Sequence, residues 1–199
     1  MPPLAPIVLE GTHVRLEPLL PEHAPALGAA ADSGDELWSW MSFDLRIADH
    51  RERWMRDAFA ARDRGDEIPF TVVLRASGEI VGTTRYMDIQ ERFRGVEIGW
   101  TWYRRDLWGG AVNPECKYLL MRHAFEGWDA IRVCLKTDLK NLHSQNAIRK
   151  LGAKYEGTLR NHRVRRDGSY RDTMYFSIID TEWPDVKRSL EQRLAAFTA

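Results

Sequence analysis

The chain has 199 residues, 44% of them hydrophobic and 29% charged, and its 29 basic and 29 acidic residues cancel to a formal net charge of zero. That length fits one domain with a core large enough to need no disulfide or metal staple, and a zero balance gives no bulk attraction to nucleic acid or a membrane surface. Two cysteines, Cys116 and Cys134, are too few for a disulfide framework and fall in expected core elements; Met1–Pro6 lacks the basic start and long apolar stretch of a signal peptide, so a cytoplasmic protein with reduced, buried thiols is expected.

In chain order, Thr12–Leu19 alternates polar and apolar residues and predicts a first strand, ended by Pro21. The alanine-rich stretch 22–31 predicts a helix, broken at Asp32-Ser33-Gly34-Asp35. Leu37–Met41 is a short aromatic segment, a loop or one helical turn. Asp49–Arg64 predicts a charged helix with Trp54, Ala58, Phe59 and Ala61 on its apolar side. Strands over Phe70–Leu74 and Ile80–Ile89 flank the turn Ala76-Ser77-Gly78-Glu79, a hairpin signal. Val96–Tyr103 predicts another strand. Glu115–Phe125 predicts a helix, with Leu119, Leu120, His123 and Ala124 at helical spacing. Ile131–Thr137 alternates as a strand, and Ser144–Leu151 predicts a helix closed by Gly152. Ala153–Arg165 and Tyr170–Ile179 form a last hairpin, and Thr181-Glu182-Trp183-Pro184 opens a terminal helix through Phe197. No apolar run approaches the roughly 20 residues needed to cross a bilayer. The order of elements predicts one mixed α/β domain.

Two loops carry the chemistry. Between the strand ending at Tyr103 and the helix opening at Glu115 stands Trp108-Gly109-Gly110-Ala111-Val112-Asn113-Pro114. The small residues let the backbone turn with its amides uncovered, Asn113 suits an N-cap, and Pro114 suits the first helical position. A bare loop leading into a helix N-terminus makes an anion site fit for a phosphate, or an ordinary strand-to-helix turn. The second loop follows the Ile131–Thr137 strand, where Asn141 and Ser144 sit as loop becomes helix. Ligands gather at such C-terminal strand ends, although either residue could simply be the helix N-cap.

Together the two loops resemble the GNAT superfamily of acetyl-CoA-dependent N-acetyltransferases. Trp108-Gly109-Gly110-Ala111 is similar to its Q/R-x-x-G-x-G/A pyrophosphate loop. Asn141-x-x-Ser144, followed by Ala147-Ile148-x-Lys150-Leu151-Gly152-Ala153, resembles the closing signature of the RimJ/RimL-type branch, whose named members acetylate ribosomal-protein N-termini. The resemblance spans residues 10–180. It implies one acetyltransferase-like domain over residues 1–199, an α/β (α+β) fold with a central, mixed, mostly antiparallel sheet of about seven strands flanked by helices. It also implies acetyl-CoA as co-substrate without a metal, and direct attack on the thioester by a primary amine of a protein N-terminus or a small molecule.

The resemblance assigns roles residue by residue. Trp102, Tyr103, Arg104, Trp108, Gly109, Gly110, Ala111, Val112, Asn113, Asn141 and Ser144 would hold the cofactor. The loop amides would grip the diphosphate, Asn141 the pantetheine arm, and a backbone N–H in Trp100–Tyr103 the thioester oxygen. Ser144 would protonate or hydrogen-bond the departing sulfur. Glu97 stands where relatives often carry a carboxylate that draws the amine's proton through water; the plainer alternative is an exposed strand glutamate. One position departs from the pattern: Asp106 occupies the Gln/Arg place. The charge would then come from Arg104 or Arg105, or the backbone amides would bind the anion alone.

Trp38, Trp40, Met41 and Phe43 precede the charged helix, in the region that walls the acceptor cleft of this family, with Arg85 and Tyr86 on the strand that would face it. The alternative for these aromatics is core packing. A cleft of aromatic faces suits an apolar or aromatic amine or a peptide N-terminus. His13, His123, His143 and His162 are candidate proton carriers, His143 standing beside Ser144 and His123 reading as a helix-face residue. The run Arg160–Arg166 alternates beside Asp167 and Asp172, a solvated hairpin face rather than a nucleic-acid patch. The partners expected are thus an amine acceptor, no membrane and no nucleic acid, with a homodimer as is frequent in RimL-like relatives. The competing reading is a non-catalytic acyl-CoA-binding or sensory module on the same fold.

Overall fold

Alternating strands that each bury one side, interleaved with helices carrying one apolar stripe, can satisfy both only by stacking helices on a sheet. The computed structural model describes residues 7–32 and 34–197, so the expectations for Met1–Pro6 and for Ser33 lie outside the described residues. In chain order the elements are β1 (Leu9–Glu10), β2 (Val14–Pro18), α1 (Ala24–Ala31), α2 (Asp35–Trp38), α3 (Ala48–Asp63), β3 (Ile68–Leu74), β4 (Ile80–Gln90), β5 (Gly95–Tyr103), α4 (Val112–Arg122), β6 (Arg132–Asp138), α5 (Leu142–Arg149), β7 (Lys154–Val164), β8 (Tyr170–Ile179) and α6 (Trp183–Ala195). The strands form an eight-stranded sheet in the order β1-β2-β3-β4-β5-β6-β8-β7. Among the described residues only β5 and β6 run parallel; the other neighbours are antiparallel.

Two apolar clusters hold the layers. On one face Val96, Ile98, Val133, Leu135, Phe176 and Ile178 pack under α4, α5 and α6, through residues such as Cys116, Leu120, Ile148 and Trp183. On the other, Leu27, Trp38, Trp54 and Ala58 from the α1–α3 layer pack on Trp102. At the other end α4 is tied to the sheet edge by Glu115, whose buried carboxylate accepts the N–H groups of Thr12, His13 and Val14 at 2.8, 2.7 and 2.7 Å. A carboxylate with three amide donors is well compensated for leaving water.

Several boundaries correct the sequence reading. α4 begins at Val112 rather than Glu115, with Ala111 at the N-cap, so Asn113 lies inside the first turn and does not cap it. Pro114 is tolerated there because a first-turn N–H has no intrahelical partner. The same helix ends at Arg122 and continues as a π-turn over His123–Gly127. The short strand β1 carries no periodicity that two residues could display. Cys116 is buried, but Cys134 is only partly so.

Candidate active site

The ladder between β5 and β6 has the register Gly95↔Arg132, Val96↔Val133 and Glu97↔Cys134, and ends there. β5 runs on to Tyr103 and β6 to Asp138, so the strands part and open a wedge between them. On its other edge β5 stays paired with β4, but the register shifts between Thr83↔Trp102 and Arg85↔Gly99. That bulge places Trp100 at φ 50°, a left-handed conformation that costs a non-glycine residue about 1 kcal/mol or more. Bulges of this kind re-aim side chains and cluster beside active sites.

At the end of β5 the chain makes one 3-10 turn, Arg105–Leu107, then the Gly loop, then α4. No side chain caps α4, and the bond from Glu115 N to Ala111 O is 2.9 Å. The amides of Val112 and Asn113 therefore have no acceptor within the helix, at its positive dipole end. Gly109 has φ +80°, and a Cβ placed there would meet nothing within 4 Å. Gly109 is also exposed, so the loop leaves open space on its outer side. The unusual Asp106 is matched by Arg104, whose Nε donates to Oδ1 at 2.8 Å, while Arg105 lies 3.1 Å from Glu36. Asp106 in turn raises the Arg104 pKa.

Across the wedge, Asn141 is the N-cap of α5: its Oδ1 accepts the Ser144 N–H at 2.9 Å. That leaves the Asn141 Nδ2 donors for another partner, and Ser144 Oγ has no hydrogen-bond partner among the described residues. The two loops meet directly. The Trp108 indole, held by its Nε1 on Tyr103 O at 3.0 Å, stacks on His143 with ring centroids 4.7 Å apart.

Residues paired across strands share a sheet face, as do residues two apart. By register, Arg85, Met87, Gly99, Glu97, Cys134, Ser177, Lys136, Tyr175 and Thr173 therefore lie on one face, beside the α1–α3 layer. Glu97 is no exposed strand glutamate: only 6% of it is accessible, and Lys136 Nζ lies 2.5 Å from its Oε2. Burial raises the Glu97 pKa, with the Lys136 cation working against it. Lys136 also sits 4.6 Å from the Tyr175 ring centroid. Toward α3, Arg85 pairs with Glu67 and lies 5.0 and 5.1 Å from the Trp54 and Trp100 rings. Phe43 stands 6.1 Å from Trp100, with Trp40 and Met41 half-buried just before it. The tip of the β7–β8 hairpin reaches across to this layer, Arg166 approaching Asp44 at 3.9 Å. The candidate acceptor groove is this side of the sheet, with the neighbours Glu97, Lys136 and Tyr175 at its floor.

Some expected site residues lie elsewhere. Tyr86 points to the opposite face from Arg85; it is fully buried and donates its hydroxyl to Leu120 O, so its side chain does not line the groove. Trp38 packs at 5.2 Å against Trp102, both almost wholly buried, and Tyr103 is buried as well. A ligand in the wedge can meet Trp102 and Tyr103 through their backbone, not their rings. His123 is half-buried against Tyr86 and Trp128, where burial lowers its pKa. Among the described residues no group of three or more His, Cys, Asp or Glu is placed to share a metal ion.

The description "Acetyltransferase (GNAT) domain" matches residues 13–154, from β2 through the Gly loop to the start of β7. The chain belongs to the GNAT acetyltransferase family. Among solved structures, a protein of T. thermophilus described only provisionally as an acetyltransferase is 34% identical, covers 96% of this chain and 98% of its own, and superposes with a TM-score of 0.85. A GCN5-related N-acetyltransferase from Brucella melitensis is 28% identical, with coverage of 97% and 87% and a TM-score of 0.89. Mycobacterium smegmatis RimJ, solved with CoA-disulfide, shares the fold at 21% identity, with coverage of 94% and 95% and a TM-score of 0.81. No curated protein matches the chain. No helix among the described residues is long and apolar enough to cross a membrane.

GNAT enzymes use acetyl-CoA, and this chain's groove holds four residues that sequence reasoning did not single out as a set: Trp100, Lys136, Glu67 and Arg171. The signal available for Lys136 was alternation, which puts it on the face opposite Leu135. Nothing local marks Trp100 as left-handed, because the bulge arises from pairing with β4.

Proposed function

We propose that this GNAT enzyme transfers the acetyl group of acetyl-CoA directly to a primary amine held in the groove above Glu97. The observation that carries the reading is the contact of Trp108 with His143, which joins the Gly loop to the Asn141–Ser144 corner at the mouth of the β5–β6 wedge. The amides of Gly109–Asn113 would hold the diphosphate, and Asn141 Nδ2 the pantetheine arm. Acetyl-CoA supplies an activated thioester there. Ser144 Oγ, without an internal partner, is available to give a proton to the departing sulfur. Glu97, beside Lys136, accepts the proton that the ammonium of the acceptor must lose. Backbone groups of Ile98–Tyr103 that meet no strand in the wedge are donors for the thioester oxygen. A protein N-terminus or a small-molecule amine fits the groove.

Calorimetric titration with acetyl-CoA and an amine panel followed by release of the CoA thiol test this together. Binding with turnover that falls in Ser144→Ala is the expected result. Tight binding with no turnover for any amine would instead make the chain an acyl-CoA-binding module, and no binding heat at high micromolar acetyl-CoA would reject the reading.

A further inference from the structure

The far end of the groove is short of acceptors. Asp138 stands opposite Thr173 in the β6–β8 ladder, and its carboxylate is already taken: Arg165 donates to it at 2.8 and 3.0 Å, and the Lys140 N–H at 2.8 Å. Arg171, two residues from Thr173 on the same face, comes no nearer to Asp138 than 4.0 Å. Its Nε is buried with no hydrogen-bond partner. The Thr173 hydroxyl and His162 Nδ1 are buried and unpartnered as well, and Thr173 is only 1% exposed. His162 ties this end to the groove floor, its Nε2 lying 3.5 Å from the Tyr175 hydroxyl. It also borders a cavity of about 840 Å³ at the bulge of β7, lined by Thr158, Leu159, Arg160, Asn161, His162 and Asp172.

Buried polar groups in folded proteins are almost always satisfied, by protein, water or ligand, and here three that lack a protein partner stand together at one end of the candidate groove, where one further group can serve them all. A guanidinium N–H, a hydroxyl and an imidazole nitrogen have one partner in common, an oxyanion with several lone pairs. Burial depresses the Arg171 pKa while Asp138 opposes it, as for a cation whose counter-ion is incomplete. Lys136 and Arg163 add positive charge nearby. The spacing then limits the ligand. Four residues along β8 separate the level of Glu97 and Ser177 from that of Thr173, about 13 Å of strand. An α-amino acid, whose amine and carboxylate are a few ångströms apart, cannot reach both ends. An extended peptide carrying an acidic side chain in its first few residues can.

We propose, resting on the acetyltransferase reading above, that the acceptor is a peptide N-terminus with Asp or Glu at its third or fourth residue, whose carboxylate seats on Arg171, Thr173 and His162 while its amine faces Glu97. Short peptides of equal length, with Asp or Glu against Asn or Gln at those positions, are assayed by release of the CoA thiol. The acidic peptides are expected to have kcat/KM about tenfold or more above their amides, mostly through KM, the size of a charged hydrogen bond. Arg171→Gln should bring the kcat/KM of the acidic peptides down to that of their amides, while Arg171→Lys keeps part of the preference. Equal use of acid and amide peptides by the native enzyme overturns the inference and leaves the acetyltransferase reading standing. So does an equal loss for both peptides in folded Arg171→Gln and Arg171→Lys. Acetyl-CoA binding with no turnover on any amine would overturn that underlying reading and this inference with it.

Discussion

Buried Glu97, at the last rung of the β5–β6 ladder, forms an ion pair with partly buried Lys136 on the neighbouring parallel strand, just where the two strands separate. Burial disfavours the ionised form of a carboxylate in that position and its cation favours it, which are the opposing demands made of a general base.

The pair predicts the acid limb of the rate profile. Because burial outweighs Lys136 and raises the Glu97 pKa, kcat/KM should climb with pH through a value above the ordinary carboxylate range. Glu97→Gln should remove that limb and lower kcat about 100-fold or more. Lys136→Met deletes the opposing cation, so the limb should move to higher pH. A limb that stays in place in both variants would assign the base elsewhere.

Ser144→Ala should lower kcat with little change in acetyl-CoA affinity, since its hydroxyl would act only as the sulfur departs. Asn141→Ala is different in kind. It removes the cap of α5, at a cost of about 1 kcal/mol in stability, and a donor toward the pantetheine, so affinity and Tm should fall together. Calorimetric affinities and thermal melts of the two variants, measured side by side, separate these outcomes.

Gly109→Val should abolish acetyl-CoA binding while the chain still folds. A Cβ there meets open space, so the cost to stability is the backbone strain of φ +80°, about 1–2 kcal/mol, but the branched side chain would stand where the diphosphate must approach. Retained binding heat in a folded variant would mean that the anion sits elsewhere.

Lys117 gives a prediction for stability. It is buried beneath β5, donates to Thr101 Oγ1 at 2.5 Å, and burial pushes its pKa down to about 7 from 10.5. Between those values the unfolded chain binds more protons than the folded one, so stability should rise with pH across the window, and the full cost of the buried ammonium is felt below it. Lys117→Met should therefore raise Tm at about pH 6, with the gain shrinking toward about pH 10. A gain of constant size across that range would show that the lysine does not titrate as described.

Periodicity in the sequence carried most of the fold, because strands that bury one side and helices that bury one stripe write their own period. The Gly loop was readable for a similar reason: only small residues leave amides uncovered. What local pattern cannot show is which partner a strand takes and with what register. Arg85 and Tyr86 are adjacent in sequence and were both expected in the cleft, yet the pleat sends them to opposite faces. Asn113 is the better capping residue by type, but α4 starts at Val112, with no side chain capping its first amides. The groove's charged floor needed β6 and β8 to be neighbours, a fact set by the crossover rather than by any one segment.

The three-rung seam between β5 and β6 has a mechanical consequence. Among the described residues it is the one strand pairing that joins two half-sheets edge to edge, β1 to β5 on one side and β6, β8 and β7 on the other. Whatever fills the gap beyond Glu97 and Cys134 acts as mortar between those halves, so occupancy there should be felt as heat resistance of the whole molecule and as slowed amide exchange in strands that never touch the ligand.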